Sequence, residues 1–152
     1  MQSDTLRIAF VCSGNICRSP MAESFAEAFF DQRELSAVTV SAGTLGLQGR
    51  EAAAEAQLAM DEVGHDISDH RSQGVSPGIL RHADAIVVME PKHVRQLESA
   101  DPSLVDSIVR LWEWSDRPLE GISDPVGQDL DTFRSCRDTI RTALDNWLDE
   151  FV

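Results

Sequence analysis

The run Leu6-Arg7-Ile8-Ala9-Phe10-Val11 breaks off at Cys12, and within a few residues the pattern changes from strand to helix. A short, mostly apolar run with β-branched and aromatic members is the profile of a strand buried on both faces, as in a parallel sheet. Beyond a turn containing Gly14, Ser19 is placed to cap a helix with Pro20 in its first turn. Residues 21–33 then carry strong helix formers with apolar side chains at helical spacing.

This strand, loop and helix pattern recurs along the chain. Residues 38–42 read as a second strand ended by Gly43, and residues 51–63 as an alanine-rich helix stopped by Gly64. A third strand over 85–89 leads into a helix from about Pro91. A fourth strand fits 108–112, and 130–147 is a long amphipathic helix. Such alternation predicts an α/β fold, an open parallel sheet with right-handed crossovers and helices on both faces. Ligands of such sheets bind beyond the carboxyl ends of the strands. Two irregular segments, 43–50 and 113–128, are long enough to carry function. With 152 residues and neither an internal repeat nor a linker, the chain reads as one domain.

Charge narrows the partners. Lys and Arg number 13 against 26 Asp and Glu, a formal charge of −13, which argues against nucleic acid and anionic membrane surfaces. No stretch reaches the roughly 20 apolar residues of a membrane span. Met1-Gln2-Ser3-Asp4-Thr5 lacks the basic and apolar regions of a signal peptide, so the expected address is cytoplasmic. Three cysteines, an odd number, argue against a disulfide scaffold and for a chemically employed thiol. Nothing in the sequence sets the oligomeric state.

The loop from Cys12 to Ser19, Cys-Ser-Gly-Asn-Ile-Cys-Arg-Ser, carries the chemistry. A Gly-containing loop between strand and helix can turn successive backbone N–H groups inward, where with the helix N-terminus they cradle a tetrahedral oxyanion. Here a cysteine opens the loop and Arg18 closes it. Backbone donors and a helix dipole favour the nucleophilic thiolate, and a guanidinium fork suits two phosphate oxygens. Ser13, Gly14, Asn15, Ile16 and Cys17 line the cradle between them, Ser19 can donate to the sulfur, and Asn15 tolerates left-handed backbone geometry. Cysteine attack on a phosphomonoester also needs an acid for the leaving group. On local sequence Asp116, Asp124, Asp129 and Asp131 all qualify, and Asp124-Pro125 also reads as a simple turn.

The stretch Val-Cys-Ser-Gly-Asn-Ile-Cys-Arg-Ser-Pro-Met-Ala-Glu over 11–23 resembles the signature of low-molecular-weight protein tyrosine phosphatases. Ser41-Ala42-Gly43-Thr44, the segments 66–71 and 83–89, and Asp124-Pro125 resemble further segments of that family in the same order. The resemblance implies four parallel strands, no metal or other cofactor, and a phosphorylated protein or small aryl phosphate as partner. It implies Cys12 as nucleophile, Arg18 as phosphate ligand, Asp124 as general acid, and Asn15, Ser19 and His70 as supporting residues.

Cys17 is either a packed loop cysteine or a redox partner of Cys12; Cys136, in a helical pattern, reads as core. His70, near Asp66 and Asp69, lacks a second histidine at metal-ligand spacing. His65, His82 and His93 receive no role. Trp112 and Trp114 alternate near a strand end, one toward the core, and Trp114 reads either as loop packing, the preferred reading, or as a candidate for the substrate cleft beside Leu47 and Val126. The sequence departs from the resembled family in having no tyrosine: Val126 and Gly127 follow Asp124-Pro125, Leu47 stands where an aromatic is often found, and Ser13 replaces a frequently apolar residue. Protein-arginine dephosphorylation is a second reading, disfavoured by Ile16 where the arginine phosphatases carry threonine. Arsenate reduction through Cys136, and phosphate binding without turnover, remain as rivals.

Overall fold

In the computed structural model, which describes residues 5–152, the opening run forms the central strand β1 (Leu6–Cys12). Its last five residues are all buried, as a strand covered on both faces requires. β2 (Ala37–Gly43) pairs with one edge of β1 and β3 (Ala85–Val88) with the other. β4 (Ile108–Arg110) lies outside β3, and every pairing is parallel, in the order β2-β1-β3-β4.

The crossovers carry α1 (Arg18–Gln32), α2 (Ala54–Asp61), the short α3 (Pro77–Leu80) and α4 (Pro91–Ala100); α5 (Leu130–Phe151) follows β4. α5 packs on α1 and α2, while α4 packs on β3 and β4, so the sheet is sandwiched as the alternation predicts. Phe10, Met21, Met60, Ile86, Phe133, Ile140 and Leu144 are among the fully buried side chains of one core. Among the described residues no helix is long and apolar enough to cross a membrane.

Several boundaries differ from expectation, four of them for reasons visible in the structure. β4 stops at Arg110 because β3, only four residues long, offers nothing beyond Val88 to pair with; residues Leu111–Trp114 coil into a 3-10 turn. α1 begins at Arg18 with Cys17 at the capping position, and Ser19 is not the cap, because its hydroxyl is drawn to Cys12 and Asn15. α2 starts at Ala54 rather than 51, since the Ala53 N–H donates to the Ile16 carbonyl at 2.8 Å. α5 runs past Trp147 to Phe151, whose ring stacks on Trp147 one turn back with centroids 4.8 Å apart.

The sheet order sets where a ligand can sit. β1 and β3 are neighbours, yet the chain leaves β1 toward β2 and leaves β3 toward β4. The crevice outside their carboxyl ends is therefore the topological switch point. Residues 12–19 and the start of α4 meet there.

Candidate active site

Seen from its carbonyls, the loop after β1 is turned inside out. The Cys12, Ser13 and Ile16 carbonyls accept the N–H groups of Thr44, Leu45 and Ala53 at 2.9, 2.9 and 2.8 Å, and the Asn15 carbonyl accepts His70 Nε2 at 2.6 Å. With those oxygens bound outward, peptide geometry turns N–H groups inward, and the N–H groups of Gly14, Ile16 and Cys17 donate to no carbonyl among the described residues. This is an anion nest at the N-terminus of α1.

Asn15 holds the nest in shape. It takes a left-handed φ of 59°, and its buried amide donates to Ser19 Oγ at 2.8 Å and Ser41 Oγ at 2.9 Å while accepting from the Gln73 N–H at 2.9 Å. Ser19 Oγ, which accepts from Asn15, lies 3.0 Å from Cys12 Sγ and can donate its own hydrogen to a thiolate there, and the Asn15 N–H approaches that sulfur at 3.3 Å. Two donors thus converge on the candidate nucleophile. Gly43, at the end of β2, is pressed so closely on the loop that a Cβ there would lie 2.6 Å from the Ser13 carbonyl oxygen.

Arg18 is fully buried and faces two carboxylates. Nη1 donates to the Glu90 carboxylate and, at 2.7 Å, to the Ile122 carbonyl. Nη2 lies 3.4 Å from Asp124 Oδ2 and 3.4 Å from Ser13 Oγ, and Nε has no partner among the described residues. Burial opposes the guanidinium charge, but Cys12, Asp124 and Glu90 more than offset it and raise the pKa above the ordinary arginine value.

Asp124 is held in a turn by the Val126 N–H, 3.1 Å from its Oδ1, which leaves Oδ2 toward Arg18. Its rivals are occupied elsewhere. Asp129 caps α5 through the Thr132 N–H, Asp131 pairs with Arg134, and Asp116 lines a cleft with Arg117 and Thr139 and makes no hydrogen bond or ion pair with Cys12 or Arg18 among the described residues.

His70 lies under the loop as a half-buried donor, its pKa lowered by partial burial although the bond to Asn15 works the other way. Leu47 and Ile16 flank Gly14: a Cβ there would meet Ile16 Cγ1 at 3.4 Å and Leu47 Cδ1 at 3.7 Å. Val126 is exposed beside Asp124. Cys17 is buried, and burial together with nearby Asp124 and Cys12 pushes its thiol pKa up.

Trp114 is not brought to the cleft. Its indole N–H donates to Glu150 and its carbonyl accepts from Asn146, near the C-terminal end of α5. Cys136, which approaches the carbonyl of Ser123 next to Asp124, lies about 20 Å back along that helix at 1.5 Å per residue. Among the described residues no group of three or more His, Cys, Asp or Glu side chains could hold a metal ion.

Two site residues carry no sequence signal for the site. Glu90 grips Arg18, and buried His93 contacts Ser13 Oγ at 3.0 Å. Both belong to the capping box that starts α4. A glutamate three residues before a histidine resembles any helix start, and the loop it supports is more than seventy residues away.

A cysteine in an oxyanion nest, closed by a buried arginine and overhung by an aspartate, defines a cysteine-dependent phosphatase. The profile described as low molecular weight phosphotyrosine protein phosphatase matches residues 7–152, and the chain belongs to that family. A low-molecular-weight protein-tyrosine-phosphatase of Acinetobacter johnsonii is 34% identical over 92% of this chain and 94% of its own length. A protein-arginine-phosphatase of Geobacillus stearothermophilus is 31% identical over 91% of each chain. The solved low molecular weight protein tyrosine phosphatase from T. tengcongensis superposes with a TM-score of 0.88 at 33% identity, covering 95% of this chain and 99% of that one.

Proposed function

We propose that this enzyme hydrolyses phosphotyrosine in proteins through a phosphocysteine on Cys12. The observation that carries the reading is the buried Arg18, whose unpartnered Nε adjoins a loop with its carbonyls bound outward. An oxyanion would satisfy both.

Cys12 Sγ attacks phosphorus as the thiolate, an S–P bond forms, and the P–O bond to the leaving group breaks. Arg18 follows the equatorial oxygens with Nε and Nη2 while Glu90 and the Ile122 carbonyl fix Nη1. Protonated Asp124 gives its proton to the departing oxygen. Its carboxylate then takes a proton from the water whose oxygen displaces sulfur, releasing phosphate and restoring the thiolate. Ser19 and Asn15 hold the sulfur, and His70 holds Asn15.

Leu47, Ile16 and Val126 give aliphatic contacts where aromatic ones would add about 0.5–1.5 kcal/mol per pair, so phosphotyrosine binds loosely with turnover little changed. Ile16 gives a phosphoarginine guanidinium no hydroxyl to pair with. Arsenate reduction needs a second reactive thiol, and Cys136 is a poor one: burial pushes it up to about 12. The odd cysteine count suits the cytoplasm, which fractionation of the source cells tests. A matched panel of phosphotyrosine, phosphoarginine and phosphoserine peptides tests the substrate, with the highest kcat/KM expected for tyrosine. Preference for phosphoarginine overturns the tyrosine reading and leaves the chemistry intact.

A further inference from the structure

The polar cluster behind Arg18 leaves one hydroxyl hydrogen to be placed. His93 is fully buried at the third residue of α4. Its Nδ1 accepts the Glu90 backbone N–H at 3.1 Å, and the His93 backbone N–H donates back to Glu90. An imidazole whose Nδ1 is an acceptor carries its proton on Nε2. The 3.0 Å contact to Ser13 therefore runs from His93 Nε2–H to Ser13 Oγ. Arg18 Nη2, 3.4 Å from the same oxygen, can only donate as well.

Both neighbours of Ser13 Oγ are donors, so its own hydrogen points at neither. A serine hydroxyl otherwise rotates freely; two fixed donors restrict where its hydrogen can lie. Ser13 directly follows the nucleophile in a loop whose N–H groups turn inward, and its oxygen shares Arg18 Nη2 with Asp124 Oδ2. Ser13 Oγ thus adjoins a guanidinium nitrogen that the proposed mechanism gives to the phosphoryl oxygens.

Resting on the reading of this loop as a phosphoryl-transfer site, we propose that Ser13 is a further catalytic residue, its hydroxyl donating to a non-bridging phosphoryl oxygen, and that His93 is the positioning residue that aims it. The Glu90 capping box then serves the site twice, its carboxylate fixing Arg18 and its backbone N–H fixing the tautomer of His93. Burial and the nearby Arg18 charge lower the His93 pKa to about 4, so the imidazole stays neutral and keeps its Nδ1 lone pair at neutral pH. The apolar residue frequent at this position in the resembled family could not take part in such a link.

The test is a double-mutant cycle on an aryl phosphate, with inhibition by vanadate and by inorganic phosphate measured in parallel. Ser13→Ala and His93→Ala are each expected to lose about 10- to 100-fold in kcat/KM, and to weaken vanadate, which mimics the transition state, more than phosphate. Ser13→Ala/His93→Ala should fall no further than Ser13→Ala alone, because His93 acts through Ser13. His93→Gln, which can return an amide N–H near the place of Nε2, should recover most of the His93→Ala loss.

The proposal is overturned if Ser13→Ala stays within about twofold of the parent, or if His93→Ala costs the same factor with and without Ser13, as a structural role would. Should His93→Ala fail to fold, Ser13→Thr decides: retained activity there supports the hydroxyl, and a loss equal to that of Ser13→Ala overturns it. Failure of the phosphatase reading looks different, since the parent itself would lack turnover or Cys12→Ser would keep it.

Discussion

Asn15 is the residue on which the site's geometry turns. A buried amide costs free energy unless its donors and acceptor are used, and here each is, by Ser19, Ser41 and Gln73, while the backbone holds a left-handed φ of 59°. Arg18 meets the same demand with charges, Glu90 and Asp124 answering a guanidinium that would otherwise be expensive to bury. After peroxide converts Cys12 to a sulfenic acid, attack by the Cys17 sulfur would form the disulfide and release water. Because its raised pKa keeps Cys17 protonated, that capture should be slow. Reductant should restore peroxide-treated parent more fully than Cys17→Ser; equal recovery removes the protective role. Cys12, Arg18, Asn15 and Ser19 are legible in the sequence because one contiguous loop holds them. Glu90 and His93 are not, because their part in the site is a tertiary fact. Trp114 misleads for the same reason: alternation with Trp112 gives a direction along a strand, and the chain there coils into a 3-10 turn that faces α5.

At the scale of elements, the carboxyl ends of β1, β2 and β3 meet at the loop, and Gly43 marks how tightly they meet. Strand and helix order was readable from periodicity, since buried parallel strands and amphipathic helices leave different spacings. Boundaries were less so where pairing length or a loop contact decides them, as at β4 and α2. α2 and α5 are joined by Glu62, at the C-terminal end of α2, which accepts from Arg134 at 2.6 Å and from Arg137 at 2.9 Å. Those bonds lower its carboxyl from 4.5 to about 2. A folded-state pKa below the unfolded one contributes stability in full above about 4.5, lost as pH falls through about 2. Glu62→Gln should therefore lower the urea midpoint at pH 7, with the gap to the parent narrowing as pH falls from about 5 toward 3. A gap that stays constant or widens over that range would contradict the clamp.

For the molecule as a whole, the charge of −13 acts on what approaches the crevice. Acidic phosphopeptides are repelled and basic ones attracted, and salt screens both over about 8–10 Å at physiological ionic strength. Raising salt from about 0.01 M to 0.15 M should increase kcat/KM for an acidic phosphotyrosine peptide and decrease it for one flanked by arginines; identical responses would show that net charge does not steer substrate here. The proposed route takes phosphate through Cys12, with Asp124 serving both steps. It is tested most directly by acid-quenching the enzyme during turnover of an aryl phosphate with a good leaving group, then mapping phosphate on peptides by mass spectrometry. Asp124→Asn should accumulate one phosphoryl group on the peptide bearing Cys12, since the water step has lost its base, while Cys12→Ser should show neither phosphocysteine nor sustained turnover. Sustained turnover by Cys12→Ser, or turnover by Asp124→Asn at the parent rate with no phosphorylated Cys12 peptide, would contradict it.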